Sequence, residues 1–351
     1  MAENLKIGKK LVGQGFPVYI IAEAGINHNG SVNCAKEMIR CAKDCGVDAI
    51  KFQIFKAAEF VSNSKDLYTY HSHGKPVTES MLEMFRRYEF TSDEWEEIFS
   101  FCKKQKIDFF ATPQNPSDLD FLLTIADVPV IKVGSDDLTN LELMAYYAEK
   151  GKPLIISAGM AYLGEIEDAV NVIRDSGNSE LAVLHCISSY PTEAGDIHLR
   201  KMLTIRQAFN VVTGFSDHTC GSVAAIGAVA LGASIIEKHF TMDKNMAGPD
   251  HWFSSDPKEL ADLVHSIRYI ERSMGNPQIR PTEKESDMRS LARRSIVASM
   301  AIKKGDTITR DSIDFKRPGT GLPPKYLPYI IGRKAKSWIR KNSQILFDNT
   351  C

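Results

Sequence analysis

Two lysines, a set of short hydroxyl side chains, two histidines and two carboxylates recur at the ends of apolar runs in this 351-residue chain. Lys51, Thr112, Lys132, Ser135, Ser157 and Ser216 combine ammonium groups with small donors, a mix that suits a compact dianion such as a phosphate ester. Each serine alone reads as a turn residue; together with the lysines the set reads as a site. His218 and His239 close neighbouring candidate strands, within reach of one divalent cation. Two imidazoles leave positions open for water and substrate oxygens, as catalytic metal centres do. Glu23 and Glu237 are carboxylates on strands that would pair if the sheet closes on itself. There, one would handle a proton while the other binds hydroxyls, or both would be held in salt bridges to Lys51 or Lys238. Strand alternation places Glu237 and His239 on one face and Lys238 on the other. His28 reads as a sugar contact or a turn residue, and His71 and His73 as solvent-exposed.

Groups so far apart in the chain need a scaffold that returns repeatedly to one rim. The first 280 residues supply a repeated theme, a short β-branched run followed by an amphipathic stretch. Candidate strands are Val18–Ala24, Ala49–Phe55, Asp108–Thr112, Val130–Gly134, Leu154–Ala158, Leu181–Ile187, Val211–Phe215 and Ser234–Phe240. Several are continuous apolar runs, as strands buried on both faces are. Helical spacing of apolar residues marks Asn33–Cys45, Asp93–Lys104, Pro116–Ile125, Asn140–Lys150, Gly164–Ser176, His198–Ala208, Gly221–Leu231 and Pro257–Met274. Asp93 and Asn140 stand where N-caps belong, and Gly46, Gly151 and Gly177 where C-caps belong.

Eight strands alternating with eight helices over about 250 residues predict an α/β fold of the (β/α)8 TIM-barrel type, whose reactive groups gather at the C-terminal ends of the strands. On that reading all eight strands deliver polar groups to one rim. They include His185 with Ser188, Ser189 and Tyr190 on the sixth strand, and Ser216, Asp217 and His218 on the seventh. A doubly wound open sheet is the rival; it more often carries a glycine-rich phosphate loop after its first strand, and GINHNG is not GxGxxG. Residues 56–90 break the rhythm with a long polar insertion, of a kind that is usually functional or disordered.

Past Arg280 the pattern changes. The charged stretch PTEKESDMRSLARR leads into alternating segments at Ser295–Ala301 and Ile313–Lys316, with Gly305–Asp306 as a turn, and predicts a small β-rich module. The expected division is a barrel over 1–285, a linker over 286–293 and the module over 294–351. From Arg294 to Cys351 there are twelve basic and four acidic residues, although the whole chain has a net charge of -1. A basic module beside an acidic body suits docking between them, or simply carries a solvated basic surface. The balance of 43 Lys+Arg against 44 Asp+Glu argues against a nucleic-acid binder. No apolar run approaches the roughly 18 residues of a membrane span, and the polar, lysine-rich start lacks a signal-peptide core. Seven irregularly spaced cysteines read as reduced thiols, so a cytoplasmic location is expected.

The segments IIAEAGINHNG, AIKFQ, ATP at 111–113, IKVGSDDLTN, ISAGM, LHCISSYPT, GFSDHT and ALGASIIEKHFTMDKNMAGPDH resemble the sialic acid (N-acetylneuraminate) synthases, over residues 16–285. The tail, with IKKGDTIT and KRPGTG, resembles the antifreeze-like (SAF) domain that ends that family. The resemblance implies condensation of phosphoenolpyruvate with an N-acetylmannosamine-type aldose and water, giving a nine-carbon 2-keto acid and phosphate. It further implies a divalent metal, Mn2+ or Mg2+, and a domain-swapped homodimer. Carried over by position, His218 and His239 match the metal ligands. Lys51, Thr112, Lys132, Ser135, Ser157 and Ser216 match phosphoenolpyruvate contacts, and Glu23, Tyr190 and Asp250 match sugar contacts. Arg317 matches an arginine that reaches across the dimer to the N-acyl group, and Glu237 a carboxylate assisting proton transfer. Where many members read HCTN this chain reads HCIS, so Ser188 replaces an asparagine near the phosphate. The insertion's YTYHSHG is unfamiliar and leaves the sugar open. A legionaminic or pseudaminic acid synthase using a 2,4-diacetamido-6-deoxy sugar is the nearest rival, and KRPGTG favours the sialic and legionaminic branches. A Schiff-base aldolase using Lys132 or Lys51 and a carbohydrate- or ice-binding protein are the more distant ones.

Overall fold

A computed structural model describes residues 4–63, 65–72 and 74–351, so the expectation for His73 lies outside the described residues. The chain forms two compact units, the first ending at Gly275 and the second running from Asn276 to Cys351.

In the first unit the eight strands are β1 (Tyr19–Gly25), β2 (Ala49–Ile54), β3 (Asp108–Pro113), β4 (Ile131–Val133), β5 (Leu154–Ser157), β6 (Leu181–Cys186), β7 (Val212–Asp217) and β8 (Ile235–His239). Their order is β3-β2-β1-β8-β7-β6-β5-β4, with all neighbours parallel. β3 and β4, the ends of that list, also lie side by side, so the sheet is a nearly closed barrel and the open-sheet rival falls. β1 and β8 pair, with His239 opposite Glu23. The apolar runs are explained by position: inward residues fill the barrel and outward ones pack under the helices, so little of any strand meets water.

The helices are α1 (Val32–Cys45), α2 (Ser92–Gln105), α3 (Pro116–Ile125), α4 (Leu141–Ala148), α5 (Leu163–Asp175), α6 (Lys201–Phe209), α7 (Val223–Ala230) and α8 (Pro257–Met274). Asn140 caps α4 as expected, accepting from the Leu143 N–H at 3.2 Å. The cap of α2 is Thr91 rather than Asp93. Thr91 and Glu94 form a reciprocal capping box, with the Thr91 N–H donating to the Glu94 carboxylate at 2.8 Å, and this starts the helix earlier than spacing alone implied. Gly46 ends α1 in the left-handed region, at φ 85°. Gly151 and Gly177 are left-handed too, but lie beyond the C-caps Glu149 and Ser176.

An N-terminal hairpin, Leu5–Ile7 with Lys10–Val12, buries Leu5, Ile7 and Val12 in the barrel core. Lys10 pairs with Asp48, just before β2, so the hairpin covers the end of the barrel opposite the strands' C-termini. The insertion after β2 is structured. A turn of helix (Ala57–Phe60) leads to an antiparallel hairpin (Leu67–Ser72 with Lys75–Ser80) and a short helix (Met81–Arg86).

The second unit opens with a helix, Glu283–Ala292, that takes up most of the stretch expected as a linker and buries none of its own residues. Ser295–Ala298 pairs antiparallel with Ile313–Lys316. Ile296, Ile302, Ile308, Ile313, Ile330, Ile339 and Ile345 form a separate small core.

Candidate active site

The C-terminal ends of the barrel strands open into a cavity of about 740 Å³. Glu23, Lys51, Thr112, Lys132, Ser135, Ser157, Ser188, Tyr190, Ser216, His218, Glu237, His239 and Asp250 all line it. Arg317, the remaining expected site residue, belongs to the second unit, where it is exposed directly after the strand Ile313–Lys316. Strand alternation does the sorting: residues at even spacing share the interior face, and the side chains between them face the helices. His185 is a helix-facing residue, not part of the rim. Its Nε2 lies 2.6 Å from the Ile197 carbonyl and its ring stacks on Phe215. His28 is also turned away, buried against Phe90 at a ring separation of 4.3 Å.

The floor is a buried charge network. The Lys51 ammonium lies 3.3 Å from Glu23 and 3.2 Å from Glu237, and donates to Thr112 Oγ1 at 3.2 Å. Lys132 donates to Ser157 Oγ at 2.8 Å and to the Val133 carbonyl at 2.9 Å, with Glu237 at 3.9 Å. Ser216 donates to Glu237 Oε1 at 3.0 Å. Glu237 is thus shared by two cations and a hydroxyl. Burial alone would raise its pKa, but Lys132 and Lys51 pull it down to about 2, so it is a fixed anion. Glu23 goes the other way. Burial, with the Glu237 charge behind it, outweighs Lys51 and pushes it up to about 7. Burial also raises Asp250 to about 6, against the pull of His218. Gln53 donates to Glu23 Oε1 at 3.3 Å, and Gly25, at φ 50°, lets the chain turn beside both side chains where a Cβ would crowd Glu23 and Gln53. The wall formed by Ser135 and Ser188 closes tightly on Gly159. The Gly159 N–H donates to Ser135 Oγ at 2.9 Å, and any Cβ at Gly159 would collide with both serine hydroxyls.

Beside the floor, the rings of His218 and His239 stand 5.3 Å apart. His218 Nδ1 lies 2.7 Å from the Ile187 carbonyl, which can only accept; its proton is therefore on Nδ1, and Nε2 is left as a lone-pair donor. His239 Nδ1 is buried with no partner, and burial together with His218 lowers that imidazole's pKa, keeping it neutral. Burial acts against the charged form of His218, but Cys186 and the Ile187 carbonyl outweigh it and raise that imidazole's pKa. With its Nε2 unprotonated, His218 and His239 would together offer two nitrogen donors to a divalent cation whose other positions come from oxygen ligands. Among the described residues no cluster of three or more His, Cys, Asp or Glu forms a closed metal cage. Tyr190 packs on His218 at 4.2 Å and Phe253 on His239 at 5.2 Å, fixing both rings.

The insertion makes one whole side of the cavity. Phe55, Phe60, Tyr68, Thr69, Tyr70, His71, Met81, Met84 and Phe85 line it there, so His71, although exposed, faces the pocket. The hairpin is joined to the loop after β8: the Gly248 N–H donates to Ser72 Oγ at 3.2 Å, and His71 lies against Trp252.

Two known families match along this chain. The profile of the NeuB family matches residues 38–279, and that of the SAF domain residues 293–349. The chain belongs to the NeuB family. An uncharacterized protein of Methanocaldococcus jannaschii is 42% identical, over 99% of this chain and 98% of its own length. An N,N'-diacetyllegionaminic acid synthase of Legionella pneumophila is 36% identical, over 99% of each. The solved structure of a sialic acid synthetase from Leptospira borgpetersenii, in complex with citrate, superposes with a TM-score of 0.74 at 34% identity, covering 82% of this chain and 95% of that one. The chain is thus an enzyme of the sialic, legionaminic and pseudaminic acid synthase group. Relatives of similar identity are named for different sugars, so membership alone does not fix the acceptor.

Within this NeuB-family barrel, sequence reasoning left several lining residues without a role. Gln53 and Gln114 follow Lys51 and Thr112 by two residues, the signal that puts them on the same interior face. The aromatic and methionine residues of the insertion carried no such signal, because no single period runs through residues 56–90. Asp217 and Lys238 form a buried ion pair of 2.9 Å, with Lys238 also donating to the Thr219 carbonyl; neither lines the cavity, in keeping with the alternation that separated Lys238 from Glu237 and His239.

Proposed function

We propose that the protein condenses phosphoenolpyruvate with an N-acetylmannosamine-type aldose and water, releasing phosphate and a nine-carbon 2-keto acid. The observation that carries this reading is the base of the cavity: two buried lysines, five hydroxyl side chains and Glu237, which the lysines hold ionised at neutral pH and which bridges them. Lys51 and Lys132 bind the phosphate and carboxylate of the donor, and Thr112, Ser135, Ser157, Ser188 and Ser216 supply short hydrogen bonds. The charge is set before the substrate arrives, so it stabilises the reacting dianion without reorganisation. His218 and His239 would hold Mn2+ or Mg2+, which when bound polarises the aldehyde oxygen of the open-chain sugar. Glu23, Gln53, Asp250 and Tyr190 orient that sugar with C1 toward the donor.

Carbon C3 of phosphoenolpyruvate attacks C1 of the aldehyde, the C=O π pair passes to the aldehyde oxygen, which takes up a proton and becomes a hydroxyl, and positive charge develops at C2. Water adds there and loses a proton, giving a tetrahedral hemiketal phosphate. Its collapse breaks the C–O bond and expels phosphate, leaving the keto group. A carboxyl at about 7 is suited to exchanging that proton near neutrality, which assigns the task to Glu23; Glu237 anchors the cations. On the same reading the enzyme works in the cytoplasm as a homodimer, Arg317 of a second copy reaching the acyl group. Among the described residues no helix is long and apolar enough to cross a membrane, and the cysteines are free, which supports that location.

The test is turnover with Mn2+ and phosphoenolpyruvate labelled with heavy oxygen at the bridging position. The label is expected in released phosphate, with activity lost to chelator. Label retained in the organic product, or borohydride trapping of a lysine adduct with indifference to chelator, would defeat the reading in favour of a Schiff-base aldolase.

A further inference from the structure

Asp217 and Lys238 are almost wholly buried, yet neither lines the cavity and the proposed chemistry uses neither. A buried ion pair adds little stability over an apolar pair of the same volume, so its meaning lies in what it holds. In the β7–β8 ladder Asp217 stands opposite Lys238, which makes His218 and His239 the next residue on each strand. β7 ends at Asp217, whereas β8 runs through His239. His239 is therefore inside the sheet: it pairs with Glu23, and its carbonyl accepts from the Ser255 N–H at 2.8 Å. His218 lies one residue past the last rung and is bracketed instead. Asp217 Oδ1 accepts from the Thr219 N–H at 2.9 Å, which closes a turn around His218. The Lys238 ammonium donates to Asp217 Oδ2 at 2.9 Å and to the Thr219 carbonyl. One lysine thus holds the residues before and after His218, from the position just before His239.

An apolar pair would fill the same space but could make none of these bonds. The one other backbone tie on this turn, from the Thr192 N–H to the His218 carbonyl at 2.9 Å, leads to the loop after β6 and not to β8. Successive side chains on a strand point to opposite faces, so the clamp lies behind the sheet while the two imidazoles project into the cavity, 5.3 Å apart. We propose that Asp217 and Lys238 are positioning residues, a clamp through Thr219 that sets the spacing of His218 against His239 for a divalent cation. The inference rests on the proposed role of those histidines as metal ligands, and adds what fixes one relative to the other.

The experiment measures Mn2+ binding by the electron paramagnetic resonance signal of free Mn2+, without sugar or turnover, and phosphoenolpyruvate binding by calorimetry. Asp217→Leu with Lys238→Met, in the full chain, removes the clamp and leaves no stranded charge. The Mn2+ dissociation constant of this apolar pair is expected to rise about tenfold, the lower end of what loss of an outer partner costs a metal site. Its phosphoenolpyruvate affinity should keep the wild-type value, because the lysines that hold the donor are on β2 and β4. Asp217→Asn with Lys238→Gln, uncharged but still able to bond Thr219, should recover part of the Mn2+ affinity. Unchanged Mn2+ affinity in the apolar pair overturns the clamp, as does an equal loss of both affinities, which a merely structural role would give. Should the apolar pair lose phosphoenolpyruvate binding altogether, the uncharged polar pair decides: weakened Mn2+ binding beside intact phosphoenolpyruvate binding supports the clamp, and any other result overturns it. His239→Ala tests the reading beneath. If wild type fails to bind Mn2+, or His239→Ala binds it as tightly as wild type, the histidines are not its ligands and the clamp falls with that assignment.

Discussion

The floor of the cavity and the insertion wall meet the same substrate space by different means. On the floor, charged groups are fully buried, each compensated by another, and all sit on strands whose neighbours fix them on both sides. The wall is a hairpin and two short helices held by a small aromatic cluster, with its charges near solvent. The difference teaches where the protein concentrates rigidity. A network of buried charges is tolerable only if its members cannot drift, so it belongs on the barrel. A wall that selects among sugars can be replaced without touching that network.

The sharpest way to break this comparison is to remove one floor cation. In Lys51→Met, Glu23 and Glu237 lose the ammonium between them, and an uncompensated buried charge costs about 3–5 kcal/mol. Denaturant unfolding should show that loss, and calorimetry a fall in phosphoenolpyruvate affinity of roughly 100-fold, the scale of a lost charge-assisted bond. Unchanged stability would mean the floor is not the balanced network described. Next comes the helix-facing pair. Lys238→Met strands Asp217 and should cost about 3 kcal/mol, while Lys238→Met with Asp217→Leu should recover most of it. Both should weaken phosphoenolpyruvate binding far less than Lys51→Met does. Equal loss would erase the distinction between the barrel's interior charges and those behind its wall.

A pH series separates the two floor carboxylates. Glu23 has its pKa raised by burial to about 7 from an unfolded value of about 4.3, so the folded state holds its proton more tightly than the unfolded chain. Its contribution to stability is complete below about pH 4.3 and is lost as the pH climbs through 7, with a slope of at most about 1.4 kcal/mol per unit. Asp250, raised to about 6, acts in the same direction. Glu237, lowered to about 2 by the lysines, acts oppositely: its contribution is present above the usual carboxylate range and disappears on acidification. Glu23→Gln is therefore expected to flatten the decline between about pH 4.5 and 7 while leaving the acid limb. An unaltered slope would place the proton-exchanging group elsewhere.

How much of this was readable in the sequence follows the same boundary. The barrel was legible because a strand buried on both faces must be an apolar run, and the floor because alternation carries Lys51, Lys132, Ser216 and Glu237 to one face. Alternation also separated Lys238 from Glu237. It did not tell His185 from its neighbours, since the face of a single histidine depends on where the strand's register begins. Thr91 was missed as a cap because Asp93 and Thr91 have similar propensity, and only the reciprocal bond with Glu94 decides between them. The wall was not legible at all. Residues 56–90 change element four times, and their aromatic cluster joins Phe55, Phe60 and Phe85 across separations that no periodic pattern marks.

The smallest expected effect tests the wall itself. Glu79, on the second strand of the hairpin, accepts from the Tyr70 hydroxyl at 2.7 Å and from Arg87 at 2.6 Å, joining both strands to the residue that caps the following short helix. Arg87 is half exposed, so the ion pair is screened and Glu79→Gln should cost less than about 1 kcal/mol in global unfolding. Its consequence should be local. Amide exchange in residues 67–80 should quicken and the acceptor KM rise by a few fold, while phosphoenolpyruvate binding keeps its wild-type value, because no floor residue touches this pair. If donor affinity fell together with acceptor affinity, wall and floor would be one cooperative structure, and the division of labour argued from their chemistry would be wrong.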